Sequence, residues 1–284
     1  MINTITIPKS AMLLMFLFFN TIFSVFGQQQ GYLESKNISY YKNNLLDKDK
    51  KERCVLDVYY PKDMKSFTTV IWFHGGGLTG GNKEIPTELK DKNICVVGVG
   101  YRLSPMVKSP AYIEDAAAAV AWVFNNIDRF GGDKSKIFIA GMSAGAYLAN
   151  MITLDKSWME KHAIDANKLA GLISFSGHTI THFTIRQEKK MAATKVIVDE
   201  LAPLYHVRPD APPILLITGD RELELLGRYE ENAYLMRMLK ETGHKDVKLL
   251  EIQGYGHDMD KPAYRLLLSE IERINKLNNL KSKK

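Results

Sequence analysis

The sequence predicts an α/β fold with a mostly parallel central sheet and helices on both of its faces. Short apolar runs rich in β-branched residues alternate along the chain with segments that carry apolar residues at helical spacing. Some of the runs are continuously apolar, as in ILLIT at 214–218, which is typical of strands buried on both faces of a parallel sheet. Strand–helix alternation of this kind favours helices packed on both sides of the sheet.

The alternation predicts seven strands and four helices. The predicted strands are Val55–Tyr60, Thr69–Phe73, Ile94–Val99, Ile137–Ala140, Leu169–Phe175, Ile214–Thr218 and Val247–Ile252, and the predicted helices are Ala111–Ile127, Ala144–Leu154, Arg228–Thr242 and Ala263–Leu277. The least regular segment, residues 177–206, is expected to form a small lid or a pocket wall, with His178 and His182 in that wall. Because no linker rich in Pro, Gly or Ser interrupts the pattern, residues 28–284 are expected to form a single domain.

Composition excludes several classes of protein. The 284 residues are 45% hydrophobic and 25% charged, which is typical of a globular protein with a sizeable core. The 38 Lys and Arg residues exceed the 32 Asp and Glu residues only slightly and, apart from a tail of Lys281, Lys283 and Lys284, are dispersed, which disfavours a nucleic-acid partner. Two cysteines exclude a disulfide scaffold, and no Cys/His cluster has zinc spacing. Cys54 and Cys95 are expected to be free, buried thiols.

The N-terminal segment has the pattern of a secretory signal. Lys9 precedes nine uninterrupted apolar residues, Ala11–Phe19, and small residues follow at Val25 and Gly27. The apolar run is shorter than the roughly 20 residues that a membrane-spanning helix needs. We therefore expect residues 1–27 to be a signal peptide cleaved after Gly27, with an uncleaved anchor as the alternative. The mature protein is then expected in the periplasm or secreted, without a membrane attachment.

A Gly-x-Ser-x-Gly motif, Gly141–Gly145, lies between a predicted strand and a predicted helix. In this setting the motif is typical of a nucleophile elbow, a tight turn whose glycines leave room around an exposed serine hydroxyl. A serine requires a base within hydrogen-bond reach before it can act as a nucleophile. The motif therefore predicts Ser143 as a catalytic nucleophile whose base comes from another part of the chain.

The sequence HGGG at 74–77 follows the second predicted strand. Three consecutive glycines expose backbone N–H groups that no side chain shields, and such groups suit an oxygen that becomes negative in a transition state. We predict the N–H groups of Gly75, Gly76 and Ala144 as the oxyanion donors. His74 is expected to brace this loop.

The base is expected late in the chain, after the last predicted strand. His257 lies there, in the segment GYGHD at 254–258. A third residue, an acid, must orient the imidazole and stabilise its charged form. The segment GDRE at 219–222, directly after another strand, offers Asp220 and Glu222, and the pattern alone does not choose between them.

Together these motifs resemble those of α/β-hydrolase esterases of the HGGG type, the group that contains hormone-sensitive-lipase-like enzymes and bacterial feruloyl and acetyl-xylan esterases. The matching segments follow the family order over residues 55–258 and are LDVY at 56–59, HGGG at 74–77 with GNK at 81–83, YRLSP at 101–105, DAAAAV at 115–120 with Trp122, GGD at 131–133, GMSAG at 141–145, and His257. The resemblance implies an α/β-hydrolase fold, and because the segment before HGGG is short, we expect little or no cap. It also implies the chain order of nucleophile, acid and histidine.

The resemblance also bears on the acid. In those relatives the catalytic Asp lies three residues after a glycine, and counting from Gly219 leads to Glu222, where this chain departs from Asp. Glutamate has the same role in cholinesterase-like relatives, so Glu222 is the first choice and Asp220 the second. Met142 and Ala146 are further departures, and neither removes a catalytic group.

The function that the resemblance implies is hydrolysis of carboxylic esters by an exported serine enzyme without a metal or an organic cofactor. The expected substrates are small-molecule or polysaccharide esters, with short acyl or feruloyl groups on plant polysaccharide as one class. Three alternatives remain open: a serine peptidase with the same triad, an arylformamidase, and a catalytically inactive protein of this fold that binds a ligand. The sequence leaves the oligomeric state open.

Overall fold

The computed structural model describes residues 31–41, 47–225 and 227–281. The predicted signal peptide, residues 1–27, and the expected start of the domain at residue 28 lie outside these ranges. Within them, no helix combines the length and the apolar character needed to cross a membrane.

An eight-stranded sheet forms the centre of the described part of the chain, in the order β1-β2-β4-β3-β5-β6-β7-β8. The strands are β1 (Tyr32–Ser39), β2 (Val55–Pro61), β3 (Phe67–Phe73), β4 (Ile94–Val99), β5 (Gly132–Met142), β6 (Gly171–Phe175), β7 (Ile214–Gly219) and β8 (Val247–Ile252). Strand β2 pairs antiparallel with both β1 and β4, and all the other neighbours are parallel. The predicted mostly parallel sheet is confirmed.

Strand β1 is the strand that the sequence pattern does not predict. It lies at the edge of the sheet, and its side chains are mostly exposed or half-buried. Its sequence, YLESKNIS, therefore lacks the continuous apolar run by which the buried strands are predicted. An edge strand of this kind is held by its pairing with β2 rather than by burial on both faces.

Helices pack against both faces of the sheet. They are α1 (Lys48–Arg53), α2 (Ala111–Asn126), α3 (Ala144–Leu154), α4 (Lys156–Glu160), α5 (Phe183–Glu188), α6 (Arg228–Glu241) and α7 (Asp260–Lys281). Ile71 and Phe73 of β3 belong to one apolar cluster with side chains of α2, α3 and α6, whereas Val70 and Trp72 belong to a second cluster with α7. Because side chains alternate along a strand, these two clusters lie on opposite faces of the sheet.

Both cysteines are free and buried. Cys54 precedes β2 and Cys95 lies in β4, the antiparallel neighbour of β2. Burial raises the pKa of the Cys54 thiol to about 12 and also raises the pKa of the Cys95 thiol. Both therefore remain protonated at neutral pH and contribute as small apolar groups.

A buried ion pair fixes the segment that follows β4. The guanidinium of Arg102 donates to both oxygens of the Asp115 carboxylate on α2, at 2.8 Å each. The same carboxylate accepts hydrogen bonds from the Arg102 backbone N–H at 3.1 Å and from the Tyr41 hydroxyl at 2.7 Å. Asp115 is fully buried, so every one of these donors replaces a lost water. The pair holds the 101–104 segment in place, and Ser104 N–H in turn donates to Leu78 O in the loop after β3.

Replacing Asp115 is expected to destabilise the fold strongly. Asp115→Ala leaves the Arg102 guanidinium buried without its partner, which should lower the free energy of unfolding by about 3–5 kcal/mol. The measurement is urea denaturation followed by circular dichroism. Glu241→Gln is the control, because Glu241 pairs with Arg237 on the exposed face of α6, and its loss should change stability by less than about 0.5 kcal/mol. Equal stability of the two variants would contradict this account.

Candidate active site

Ser143 lies at the turn between β5 and α3, as the motif predicts. Its backbone has φ 53° and ψ −112°, a conformation that is strained for a residue with a side chain. The flanking glycines make the turn possible: a Cβ at Gly141 would lie 2.5 Å from the carbonyl carbon of Gly145, and a Cβ at Gly145 would lie 2.1 Å from Phe73 O. The hydroxyl-bearing residue is thus held at the carboxyl end of β5 by close backbone packing.

The glycine loop after β3 lies directly against this turn. A Cβ on Gly75 would be 3.4 Å from Met142 O and 3.7 Å from the Cβ of Ser143. Gly76 has φ 112°, and a Cβ there would overlap Gly80 O at 2.3 Å, so the loop cannot close with another residue type. On the other side of Ser143, Ala144 is the first residue of α3, where a backbone N–H has no acceptor within the helix.

His74 braces the glycine loop. Its ring stacks on the Tyr101 ring, with 4.3 Å between centroids and an angle of 10° between planes. Its Nδ1 lies 2.7 Å from Gly75 O, and the Tyr101 hydroxyl donates to His74 O at 2.7 Å. Burial lowers the pKa of His74 to about 4, so the ring is neutral at pH 7 and acts as a structural residue. Arg53 adds a further link, because it donates to both Gly81 O and Tyr101 O.

The acid that contacts His257 is Glu224, and the expectation of Glu222 or Asp220 is wrong. His257 Nδ1 lies 2.7 Å from Glu224 Oε1. Glu222 is exposed in the turn after β7. Asp220 instead links the loop after β7 to the loop after β8. Its Oδ2 accepts a hydrogen bond from Gly254 N–H at 3.0 Å, and its own N–H donates to Tyr255 O at 2.7 Å.

The shape of the turn after β7 explains why Glu224, and not Glu222, contacts His257. Glu224 N–H donates to Asp220 O at 2.7 Å, and Glu222 N–H donates to Asp220 Oδ1 at 3.0 Å, so the chain makes one helical turn after β7. This turn places the acid two residues later than the family spacing predicts. The side chain that reaches His257 after this turn is therefore that of Glu224.

Glu224 accepts hydrogen bonds from four donors. Its Oε2 accepts from the Ser176 hydroxyl at 2.7 Å and from Gly219 N–H at 3.1 Å. Its Oε1 accepts from Leu225 N–H at 2.8 Å, in addition to the contact with His257. Burial of this carboxyl raises its pKa, but the hydrogen bonds from His257, Leu225 N–H and Ser176 outweigh that effect and lower the pKa to about 2. Glu224 is therefore ionised at neutral pH.

Ser176 is a site residue that the sequence analysis missed. It is fully buried directly after β6, has φ 50°, and its hydroxyl lies 3.1 Å from His257 Nδ1 as well as bonding Glu224. A serine at a strand end has no motif of its own. The strand order is the signal that identifies it, because β6 lies between the strand of Ser143 and the strand that precedes Glu224.

The segment 177–206 forms a wall beside the glycine loop. The Thr184 hydroxyl donates to Gly77 O, and a Cβ on Gly77 would lie 3.1 Å from the Phe183 ring. His178 Nδ1 lies 2.9 Å from a carboxylate oxygen of Glu231, whereas buried His182 accepts from Thr184 N–H at the start of α5. Among the described residues, no group of three or more His, Cys, Asp or Glu side chains has the arrangement of a metal site.

The contact between Glu224 and His257 predicts which acid matters for hydrolysis of a p-nitrophenyl ester. Glu224→Gln should lower kcat by about 10³–10⁴-fold, because an amide neither stabilises an imidazolium nor fixes the ring tautomer. Glu222→Gln, which removes the same charge two residues away, should retain near wild-type kcat. Asp220→Asn should mainly lower the melting temperature through weaker pairing of Gly254 N–H. A fully active Glu224→Gln variant would refute the assignment.

The Ser176 hydroxyl is expected to act as a positioning group. Ser176→Ala should lower kcat by about tenfold with little change in KM, since it removes a donor to Glu224 without altering a substrate contact. Ser176→Gly serves as the control for backbone strain, because glycine suits φ 50° and also lacks the hydroxyl. Loss of kcat in both variants supports the role of the hydroxyl, and recovery in the glycine variant would assign the effect to the backbone.

Comparisons with known proteins show which proteins this chain resembles in sequence and in fold. The chain is 26% identical over 237 residues to esterase LipC of Mycobacterium tuberculosis, and the match covers 72% of this chain and 57% of LipC. A truncated carbohydrate esterase from gut microbiota has a similar structure, with a TM-score of 0.72 at 18% identity over 88% of this chain and 98% of the other. An esterase of Pyrobaculum calidifontis gives a TM-score of 0.66 at 20% identity, over 86% of each chain. These likenesses show the α/β-hydrolase fold.

The sequence also matches a family model. The BD-FAE model covers residues 56–225, which include the glycine loop, the Ser143 turn, Ser176 and Glu224. This range is more than half of the chain. The protein therefore belongs to the BD-FAE family of α/β-hydrolases.

Proposed function

We propose that this protein is a serine hydrolase of carboxylic esters. The observation that carries the proposal is the hydrogen bond between His257 and the ionised, buried Glu224, at the sheet edge that also holds Ser143. A carboxylate with its pKa lowered to about 2 and bonded to a ring nitrogen is the third member that an acyl-transfer site requires. Relatives such as LipC are named esterases, and the chain spans 57% of the length of LipC.

The contact fixes the tautomer of the histidine. Glu224 is ionised and can only accept, so His257 Nδ1 carries the hydrogen that lies in the 2.7 Å contact. The other nitrogen, Nε2, then has a free lone pair and can take a proton from the Ser143 hydroxyl. Once His257 becomes an imidazolium, Glu224 stabilises its charge at short range.

The reaction then proceeds through an acyl-enzyme. Ser143 Oγ attacks the ester carbonyl as its proton passes to His257 Nε2, and the carbonyl oxygen becomes negative against the N–H groups of Gly75, Gly76 and Ala144. His257 returns the proton to the leaving alcohol as the C–O bond breaks. A water molecule then attacks the acyl carbonyl as its proton passes to His257. His257 returns that proton to Ser143 Oγ as the acyl C–O bond breaks, which releases the acid and regenerates the serine. No step requires a cofactor.

The proposed substrates are esters with short acyl or feruloyl groups, including those on plant polysaccharide. Membership of the BD-FAE family and the likeness to a carbohydrate esterase structure support this class. The wall beside the glycine loop is small, because the chain between β6 and β7 contains one α-helix of six residues, α5. The secretory pattern of residues 1–27 supports export to the periplasm or beyond.

A hydrolysis panel tests the proposal. It contains short p-nitrophenyl esters, acetylated xylan, methyl ferulate, formylkynurenine and a peptide, each tested with the wild type and with Ser143→Ala. The wild type should hydrolyse the esters, and Ser143→Ala should lose at least about 10³-fold in rate with unchanged thermal unfolding. Turnover of only formylkynurenine or the peptide would instead identify an arylformamidase or a peptidase. Binding of an ester without any turnover would indicate an inactive protein.

A further inference from the structure

A second feature lies next to the candidate active site. A cavity of about 590 Å³ opens between the 178–196 segment and the first two turns of α6. Phe183 lines it and also lies beside Gly77 of the glycine loop, where an added Cβ would be 3.1 Å from the Phe183 ring. Leu225 lines it directly after Glu224. The cavity therefore shares one wall with the glycine loop and another with the loop of the acid.

The lining combines apolar side chains with two buried arginines. Ile180, Phe183 and Val196 present carbon atoms to the cavity. Arg186 and Arg228 also line it, and their residues are only 3% and 2% exposed. This arrangement is unusual because a buried guanidinium normally has a carboxylate partner.

Neither arginine has such a partner within the described residues. Arg228 Nη1 donates to Ser176 O and Arg186 Nη1 donates to Lys195 O, both of which are neutral backbone carbonyls. The Nε of each arginine is buried without a hydrogen-bond partner. Burial lowers the pKa of both guanidinium groups, which is the direction expected when a desolvated positive charge lacks compensation.

The two carboxylates whose charges act on Arg228 are already engaged elsewhere. Glu224 is saturated by its four donors. Glu231 is 2.9 Å from His178 Nδ1 and accepts Thr179 N–H at 3.0 Å. Glu230, also in the lining, is exposed at the rim. Among the described residues, no carboxylate oxygen thus forms an ion pair with Arg186 or Arg228, although the charge of Glu231 acts on both guanidinium groups and that of Glu224 acts on Arg228.

We propose that this cavity binds the carboxylate of a substrate, so that the enzyme prefers esters that carry a negative charge. Arg186 and Arg228 bind the carboxylate, and the apolar side chains contact the carbon skeleton that joins it to the ester. A monoanion fits better than a phosphate dianion, because the Glu231 carboxylate lines the same cavity and would repel a second negative charge. As a statement about substrates, the inference rests on the proposed esterase function.

Matched substrate pairs test the preference. The first pair places the charge on the acyl group, mono-4-nitrophenyl glutarate against 4-nitrophenyl pentanoate. The second places it on the leaving group, 4-acetoxybenzoate against 4-acetoxybenzamide. In the wild type we expect kcat/KM to be at least about tenfold higher for the anionic member of one pair, the size of effect that a charge-assisted hydrogen bond gives. Equal kcat/KM within both pairs would overturn the proposal.

Variants of Arg186 test whether the preference for anionic esters comes from this cavity. Arg186→Gln should abolish the preference and leave turnover of the neutral esters near the wild-type value, because Arg186 has no contact with Ser143, Glu224 or His257. Arg186→Lys, which keeps the charge but not the planar fork, should retain part of the preference and covers the case in which the Gln variant does not fold. Arg237→Gln, which removes an arginine from the exposed face of α6, is the matched control and should change nothing. A preference that survives in Arg186→Gln would overturn the proposal.

A binding measurement separates this inference from the proposed function. Calorimetry with Ser143→Ala, which needs no turnover, compares 4-phenylbutyrate with its neutral amide, 4-phenylbutyramide. The carboxylate should bind at least about tenfold more tightly, and Arg186→Gln introduced into Ser143→Ala should remove the difference. Equal affinity for acid and amide would refute the cavity as a carboxylate site even if neutral esters are hydrolysed. Selective binding of the acid by a chain that hydrolyses no ester would support the site and refute the esterase function.

Discussion

The buried carboxylate of Glu224 is the interaction on which the rest of the candidate site depends. Its side chain is 1% exposed, so its charge has to be satisfied by protein donors. Those donors come from the ends of three neighbouring strands: Ser176 after β6, Gly219 at the end of β7 and His257 after β8. Removing any one of them leaves a buried charge less well compensated. The carboxylate that orients the imidazole therefore also holds three loops in register.

The strand order makes this convergence possible. Strands β3, β5, β6, β7 and β8 are consecutive neighbours and all run parallel, so their carboxyl ends lie along one edge of the sheet. The loop after β3 lies on one side of Ser143, and the loops of Ser176, Glu224 and His257 lie on the other. Groups far apart in sequence are thereby placed around one strained turn. The packing at Gly145, against Phe73 O, ties this turn to the end of β3.

The features that could be predicted from the sequence are those that depend on local backbone geometry. The buried strands have continuous apolar runs, and the Ser143 turn and the glycine loop require glycines at fixed spacing, so all were found by pattern. Glu224 was missed because its position depends on one extra helical turn, and three acids in GDRELE look alike until that turn is known. Ser176 and the two buried arginines have no motif, since only the tertiary fold brings them to the site. The exposed edge strand β1 was missed because it lacks a continuous apolar run.

Ser176 links the buried carboxylate of the site, Glu224, to a buried arginine of the cavity, Arg228. Its hydroxyl donates to Glu224, while its carbonyl accepts from Arg228, so one residue with φ 50° contacts both groups. The positive charge of Arg228 favours the ionised form of Glu224, and the negative charge of Glu224 in turn favours the charged guanidinium. A change at Arg228 therefore alters the acid as well as the cavity. Among the described residues, the Arg186 side chain donates only to Lys195 O, so a change there acts on the cavity and not on Glu224. The two arginines line one cavity but differ in how closely they are coupled to the chemistry.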